Sequence, residues 1–209
     1  VNQGQMPLLN EKQTDFFFER QEHFAQAAQS IVALVTRRLP GYLGYGEKER
    51  RNLAMHNIQV LAPAKKGECG VAALNRALQE ALNPPGNGKP SLTWGENIFR
   101  LGDKVIQMKN DYQLEWRRKT PAGWEDGEGV FNGDVGFITA VDVEEHCLTV
   151  CFDEEKEAVY ASAQLENLEL AYCLSVHKSQ GSEFPVVVMP VVGGPPMLLT
   201  RNLFYTALT

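Results

Sequence analysis

The sequence contains no apolar run that approaches the roughly 20 residues needed for a membrane-spanning helix. It also does not open with the basic-then-apolar pattern of a secretory signal peptide. Cysteine is scarce, and the four cysteines show no CxxC spacing. We therefore predict a cytoplasmic protein with reduced, partly buried thiols. A zinc site is the less favoured alternative, built from His146, Cys147, Cys151 and His177.

Positive charge is also in short supply, because 20 Lys and Arg residues stand against 26 Asp and Glu residues. The net charge of −6 argues against indiscriminate coating of nucleic acid, which requires an excess of cations to neutralise phosphates. A nucleic-acid site would need its cations gathered locally. Length and hydrophobic content, 209 residues and 44%, are ordinary for one large or two small globular domains.

The first part of the chain alternates between helix and strand patterns. Polar residues 1–14 predict an extended connector, and the aromatic run at 15–19 predicts a short strand. Apolar residues recur at three- and four-residue steps over 24–39, which predicts a helix that ends at Pro40-Gly41. The chain opens on Val1 and stops inside an apparent helix, so we expect a piece of a longer protein.

Two adjacent lysines, Lys65 and Lys66, follow a strand predicted over 58–62 and precede a helix that ends at Asn83-Pro84. Cations between a strand end and a helix N-terminus favour an anion site. Lysines that are simply solvated on a loop are an equal alternative. Strand, loop and helix in this order are typical of an α/β layer.

The pattern changes after the Gly-, Pro- and Asn-rich residues 83–90. Short strands joined by turns now indicate a small antiparallel barrel, with strands over 104–108, 135–141, 148–152 and 158–161. Residues 112–129 are expected to be a long hairpin tip or a mobile loop. Their cations and tryptophans would suit single-stranded nucleic acid, although a loop that simply carries charge is favoured; they are Trp116, Arg117, Arg118, Lys119 and Trp124.

The α/β pattern returns at residue 168. A polar turn, residues 175–183, precedes the apolar run 186–192, which predicts a strand buried on both faces of a parallel sheet. Loops at the strand ends of such sheets form ligand crevices, and an ordinary surface connection is the alternative. We predict an α/β domain formed by 15–95 and 168–209, with a helix over 200–209 and the barrel, 96–167, inserted into it.

The turn has the sequence Ser175-Val-His-Lys-Ser-Gln-Gly-Ser-Glu183, which resembles motif V of superfamily 1 DNA helicases. Residues 200–209 resemble the start of motif VI, and 58–84 resemble the motif IV region. Phe99-Arg-Leu-Gly-Asp-Lys-Val105 and Val130-Phe-Asn-Gly-Asp-Val-Gly136 resemble the barrel insertion of the RecD-like branch. The similarity covers nearly the whole chain in the right order, and motifs V and VI carry most of its specificity.

This resemblance implies the second RecA-like motor domain, a parallel sheet of the P-loop NTPase type, with an inserted SH3-like antiparallel β-barrel. The family is RecD-like, similar to the exodeoxyribonuclease V alpha subunit. It implies an ATP-dependent 5′-to-3′ helicase that translocates on single-stranded DNA in recombination and repair. The expected partners are single-stranded DNA, the first RecA-like domain of the same parent chain and subunits of a nuclease complex.

The resemblance also implies ATP and Mg²⁺ as cofactors of the full-length protein. No GxxxxGK[ST] motif occurs in this sequence, so the phosphate loop and the magnesium ligands are expected on the first motor domain. The family's motif VI ends in an arginine, and this sequence stops at Thr209 before it. We therefore expect no complete catalytic site here and no ATP hydrolysis by this chain alone.

Individual roles follow from the motif positions. Ser175, His177 and Lys178 can donate hydrogen bonds to the DNA backbone, and His177 is equally suited to link the DNA site to the ATP site. Gly181 would let the backbone approach phosphates, and the Glu183 carboxylate could accept hydrogen bonds from ribose hydroxyls.

Three cations are assigned to the ATP side, namely Lys65 and Lys66 of motif IV and Arg201 of motif VI. Which lysine contacts phosphate, and whether it serves ATP or DNA, stays open. Arg201 and Tyr205 share one helix face, so packing is an alternative role for both. Two rival functions remain: the motor of a relaxase-helicase or repair nuclease, and a non-catalytic module that binds single-stranded nucleic acid.

Overall fold

The computed structural model describes residues 10, 15–153, 155–191 and 201–208. Helix α1 (Phe24–Ala33) continues through a π-helical turn (Leu34–Arg38) into α2 (Leu39–Tyr42), and α3 (Glu47–Asn57) follows. The predicted helix end at Pro40-Gly41 is wrong, because Pro40 lies in the first turn of α2, where a missing N–H is tolerated. The strand predicted at 15–19 is also wrong, since these residues have no regular secondary structure.

A three-stranded parallel sheet forms the centre of the α/β part. Its order is β11 (Cys173–Ser175), β1 (Ile58–Ala62) and β12 (Val186–Val188). Helix α4 (Val71–Leu82) connects out of β1 and buries Leu74, Leu78 and Leu82, which confirms the helix predicted between Lys66 and Asn83-Pro84. The prediction that the run 186–192 is buried on both faces is wrong for the residues of it that the structure describes, 186–191. Only 186–188 pair, at the edge of the described sheet, and Val187 is exposed.

A seven-stranded antiparallel sheet forms the barrel, in the order β10-β4-β7-β8-β9-β5-β6. Its last strand in sequence, β10, pairs with β4, so the sheet includes residues beyond 167. The strands are β4 (Lys104–Gln107), β5 (Asp111–Thr120), β6 (Gly123–Val130), β7 (Val135–Asp142), β8 (Cys147–Phe152), β9 (Lys156–Tyr160) and β10 (Leu168–Leu170). A 3-10 turn (Ser162–Asn167) precedes β10.

Helix α3 and the hairpin of β2 (Ser91–Trp94) and β3 (Asn97–Arg100) are among the elements that have no counterpart in the sequence predictions. Helix α3 carries seven charged or amide side chains in its eleven residues, so its apolar stripe is weak. The two strands of the hairpin have only four residues each, which is too short for a clear alternation.

The insertion at 112–129 is a regular hairpin of β5 and β6, so the hairpin alternative is confirmed. The Trp116 ring lies so close to Gly127 that a Cβ there would be 2.3 Å from a ring carbon. Arg118 and Lys156 lie over the Trp116 ring, 5.9 and 5.3 Å from its centroid. These ring contacts hold the base of the hairpin against the barrel.

The apolar core is continuous between the two parts of the chain. One cluster runs from Ile31 and Val35 through β1 and α4 to barrel residues such as Phe99, Val150 and Tyr160. Helix α5 (Arg201–Leu208) buries Leu203 and Ala207 in a second cluster. None of the described helices is long and apolar enough to span a membrane.

Candidate functional site

Strands β1 and β11 run parallel and end side by side. Leu61 pairs with Leu174, and Ala62 pairs with Ser175. The loop that carries Lys65 and Lys66 therefore leaves the sheet at the same edge as the turn 175–183. In open α/β sheets, this carboxyl edge is where ligands bind.

Hydrogen bonds fix the backbone of the turn 175–183. The Ser175 carbonyl accepts from the amides of Lys178 at 2.8 Å and Ser179 at 3.2 Å. The buried Ser179 hydroxyl donates to the Val176 carbonyl at 2.9 Å, and the Val176 amide donates to the Ala62 carbonyl at 3.3 Å. Helix α5 packs against the same apolar cluster as the turn, because Leu203 and Val176 both belong to it. The turn is thus a fixed structure that leaves the His177 side chain exposed.

Lys178 connects this turn to the barrel. Its Nζ donates to the side-chain oxygen of Asn132 and, at 3.4 Å, to the Met108 carbonyl. Asn132 lies in the turn between β6 and β7, and Met108 follows β4. The ammonium group is half-buried rather than extended into solvent. A cation of motif V therefore lies where the α/β part and the barrel meet.

Gly181 and Glu183 lie on the exposed side of the turn. Gly181 has a φ of +88°, and a Cβ at this position would meet nothing within 4 Å. The glycine is therefore required by the backbone conformation, which other residues adopt only with strain. The open space above it leaves room for a ligand beside the Glu183 carboxylate.

The Lys65 and Lys66 loop differs from an ordinary helix-terminus anion site. The first two amides of α4, those of Val71 and Ala72, donate to the carbonyls of Ala64 at 3.0 Å and Lys65 at 3.3 Å. A Cβ on Gly70 would lie 2.5 Å from the Lys66 backbone, so the loop closes tightly over the helix start. Because loop carbonyls occupy those amides, any anion here is left to the exposed lysine ammonium groups.

Arg201 is the first residue of α5, and its side chain lies outside the described part of the structure. Tyr205, one turn later, is exposed and keeps contacts of its own. The four zinc candidates do not form a cluster: in the described residues, no group of three His, Cys, Asp or Glu side chains could hold a metal ion.

A buried polar network joins α4 to the barrel around Asp103, whose exposed fraction is 0%. Its Oδ1 accepts from Asn83 Nδ2 at 2.6 Å and from the Tyr172 hydroxyl at 2.8 Å. Its Oδ2 accepts from Gln79 Nε2 at 2.6 Å and from the Arg100 amide at 2.7 Å. Burial raises the pKa of the Asp103 carboxyl, and these donors oppose that shift.

A second set of buried polar contacts ties the barrel to β1 and β11. Lys104 Nζ donates to Gln59 Oε1 at 3.0 Å, and burial lowers the pKa of Lys104 to about 8. Gln59 Nε2 donates to the carbonyls of Ala171 and Tyr172, each at 3.2 Å. Asn75 exchanges hydrogen bonds with the Cys173 backbone, which holds β11 in place beside α4.

The sequence predictions did not include this network. One signal was available, namely a polar Gln59 inside an otherwise apolar strand and Asn75 on the apolar side of α4. A buried amide requires partners, but its partners here are up to 113 positions away in the chain. Local patterns contain no information about contacts at that separation.

Two family models match the chain. Residues 74–152 match the ATP-dependent RecD-like DNA helicase SH3 domain, and residues 170–209 match the UvrD-like helicase C-terminal domain. The second match covers the turn 175–183 and helix α5, and the first covers α4 and much of the barrel. A RecA-like sheet with an inserted SH3-like barrel is the architecture of a helicase motor domain.

Two curated relatives indicate the family of helicases to which this motor domain is similar. The chain is 40% identical over 152 residues to the ATP-dependent RecD2 DNA helicase of Deinococcus radiodurans, which is 73% of this chain and 18% of that protein. It is 27% identical over 164 residues to the RecBCD enzyme subunit RecD of Mycolicibacterium smegmatis, which is 78% of this chain and 25% of that protein. The chain belongs to the RecD-like family of DNA helicases. It spans a quarter or less of the length of these two relatives.

Among solved structures, Bacteroides Pif1 bound to ssDNA aligns with 92% of this chain and 48% of its own, at 14% identity and a TM-score of 0.43. The complex of Bacteroides Pif1 helicase with ADP-AlF3 and ssDNA aligns with 94% of this chain and 50% of its own, at 15% identity and a TM-score of 0.41.

Proposed function

We propose that this chain is the second motor domain of an ATP-dependent helicase that moves 5′ to 3′ along single-stranded DNA. The observation that supports this most is the shared carboxyl edge of β1 and β11, with two lysines on one side and the turn 175–183 on the other. The proposed motor domain comprises 15–95 and 168–209, and the proposed SH3-like barrel comprises 96–167, to whose sheet β10 adds residues 168–170 as an edge strand.

One side of the turn serves DNA in this proposal. Ser175, His177 and Lys178 donate to phosphate oxygens, so that the backbone is bound with little regard to sequence. Lys178 is held by Asn132 and Met108 of the barrel, so a DNA strand that it binds also lies against the barrel.

The other side of the turn serves ATP. Glu183 binds the ribose, the exposed backbone at Gly181 approaches the phosphates, and cations contribute the positioned charge that phosphoryl transfer requires. Those cations are Lys65, Lys66 and Arg201. The first RecA-like domain of the same parent chain contributes the phosphate loop and the Mg²⁺ ligands.

The biological setting is recombination and repair of DNA in the cytoplasm. The RecD protein of Mycolicibacterium smegmatis is named as a subunit of the RecBCD enzyme. By analogy, nuclease-complex subunits are the protein partners that we propose. A protein that works alone, as a stand-alone helicase, is the other arrangement compatible with the same domain.

Unwinding of tailed duplexes by the full-length protein tests the proposal. With ATP present, we expect release of the displaced strand from a duplex with a 5′ single-stranded tail and none from a duplex with a 3′ tail. Release from the 3′-tailed duplex alone would contradict the direction. Binding to both tails without any unwinding would favour a non-catalytic binding module.

A variant of Glu183 tests the ATP side in the same assay. Loss of hydrogen bonds to a charged acceptor costs about 1.5–3 kcal/mol, so Glu183→Ala should raise the ATP concentration for half-maximal unwinding by about tenfold or more. Glu169→Ala, which removes an exposed carboxylate on β10, is the matched control. Equal ATP requirements in both variants would remove Glu183 from the site.

A further inference from the structure

Two large aromatic rings lie exposed side by side on the barrel. Tyr112 is 67% exposed and Phe131 is 45% exposed. Their ring centroids are 5.7 Å apart at an interplanar angle of 73°, an edge-to-face arrangement. Phe131 is seated on the backbone of Gly129, where a Cβ would come within 3.0 Å of the ring. The pair therefore has a defined geometry while its outer faces remain in water.

A chain of hydrogen bonds connects this pair to motif V. Asn110 Nδ2 donates to the Tyr112 hydroxyl at 3.2 Å, and the Asn132 amide donates to Asn110 Oδ1 at 2.9 Å. Asn132, adjacent to Phe131 in sequence, accepts from Lys178 Nζ with its side chain. The rings thus lie within two side chains of the cation proposed to bind DNA phosphate.

The acidic residues beside the rings turn toward the protein backbone. Asp111 Oδ1 accepts from the amides of Gln113 and Leu114, each at 3.1 Å. Asp134 Oδ2 accepts from the Phe131 amide at 2.8 Å. These carboxylates are engaged in turns, so they oppose a phosphate less than free surface carboxylates would.

Trp124, another exposed ring of this sheet, is already covered by a cation. Arg117 lies over Trp124 at 5.1 Å from the ring centroid, in the same hairpin whose Trp116 is covered by Arg118 and Lys156. Among the described residues, no cation lies over Tyr112 or Phe131. The rings with free faces are therefore Tyr112 and Phe131 beside the turn 175–183, and not Trp116 and Trp124, which sequence patterns indicated.

We propose that Tyr112 and Phe131 form a base-stacking site for single-stranded DNA, continuous with the phosphate contact of Lys178. The inference rests on the proposed function, to which it adds a second type of contact. Aromatic faces stack on any base, so the site binds without sequence preference. Asn110 and Asn132 act as positioning residues that hold the two rings and the Lys178 ammonium group at a fixed spacing.

Binding of a fluorescent dT oligonucleotide to the full-length protein tests this site. The double variant Tyr112→Ala, Phe131→Ala should bind about 5- to 150-fold more weakly, the range for loss of one stacked base. Its salt dependence should match that of the wild type, because no charge is removed. Trp124→Ala, at an exposed ring of the same barrel, is the matched control and should bind as the wild type does.

An abasic oligonucleotide of the same length separates stacking from other effects. With this probe, the double variant and the wild type should bind equally, since no base is present to stack. An equal loss on both probes, or no loss on dT, would overturn the proposal.

Photo-crosslinking of the wild type gives a readout independent of any variant. A 5-iodouracil oligonucleotide should form its adduct on Tyr112 or Phe131, which lie on the tryptic peptides 110–117 and 120–156. Adducts confined to other peptides, or to Trp124 within the second peptide, would contradict the site. Absence of any dT binding by the wild type would overturn the proposed function itself. Normal binding with an unaffected double variant would overturn the stacking site alone.

Discussion

Asp103 links the α/β part of the chain to the barrel through hydrogen bonds. Its carboxylate lies fully buried and accepts from four donors: Gln79 on α4, Asn83 directly after α4, the Arg100 amide on β3 and the Tyr172 hydroxyl. An ionised carboxylate is an acceptor only, which matches four donors without conflict. These four hydrogen bonds therefore stabilise the junction, even though burial raises the pKa of the Asp103 carboxyl.

Replacement of Asp103 by asparagine should destabilise the protein despite its similar shape. Whichever side-chain oxygen becomes an NH₂ group would face two donors, and buried donors would be left unpaired. We expect a loss of about 1–3 kcal/mol or more in the free energy of unfolding. Urea denaturation measures this, with Asp126→Asn on the exposed hairpin as the control. Equal midpoints for the two variants would show that the network contributes nothing.

Lys104 should give stability a dependence on pH above 8. Its pKa is lowered from 10.5 to about 8 by burial. Between these values the unfolded chain holds the proton and the folded chain releases it, so the free energy of unfolding rises with pH. Below pH 8 the group is charged in both states and contributes no slope.

The variant Lys104→Met should lack this slope. The stability of the wild type relative to the variant should grow from pH 8 to pH 10, by at most about 1.4 kcal/mol per pH unit. Lys119→Met, at an exposed position, serves as the control for loss of a charge. Parallel pH profiles for the wild type and Lys104→Met would contradict a buried, titrating amine.

Single residues also show the limit of sequence reasoning. Lys178 could be singled out from its motif, because the turn around it is local. Its partner Asn132 could not, since it lies 46 positions away on another strand connection. The role of Asp103 was not predictable for the same reason, because its neighbours in sequence look like an ordinary turn.

At the scale of elements, periodicity predicted those parts that have one clear apolar face. Strand β1, helix α4 and the barrel strands β4, β7, β8 and β9 lie close to their predicted positions. The helix that begins with α1 continues through the π-helical turn and α2 to Tyr42, past its expected end at Pro40-Gly41. The valines of β12 predicted a strand buried on both faces, but β12 lies at the edge of the described sheet, because strand order depends on distant segments.

The β5–β6 hairpin provides a test at this scale. A Cβ on Gly127 would lie 2.3 Å from the Trp116 ring, so Gly127→Ala must displace the ring from its place. We expect a cost of about 1–3 kcal/mol from overpacking, measured by urea denaturation. Glu128→Ala on the same strand is the control, because its side chain is exposed. A Gly127→Ala variant as stable as the control would mean that the ring is free to move.

At the scale of the whole molecule, the barrel and the parallel sheet form one connected body. The apolar core passes from one to the other, and buried polar contacts of Asp103 and Lys104 cross the same junction. The RecA-like sheet with an inserted barrel was predictable, because the order of the motifs can be read directly from the sequence. How the barrel meets motif V was not predictable, since that contact depends on the folded arrangement of Met108, Asn132 and Lys178.

The proposed function requires this domain to couple DNA binding to ATP use in the full-length protein. The rate of ATP hydrolysis at increasing concentrations of a dT oligonucleotide measures this coupling. We expect the rate to rise with oligonucleotide concentration to a plateau. A rate that stays the same with and without DNA would contradict it.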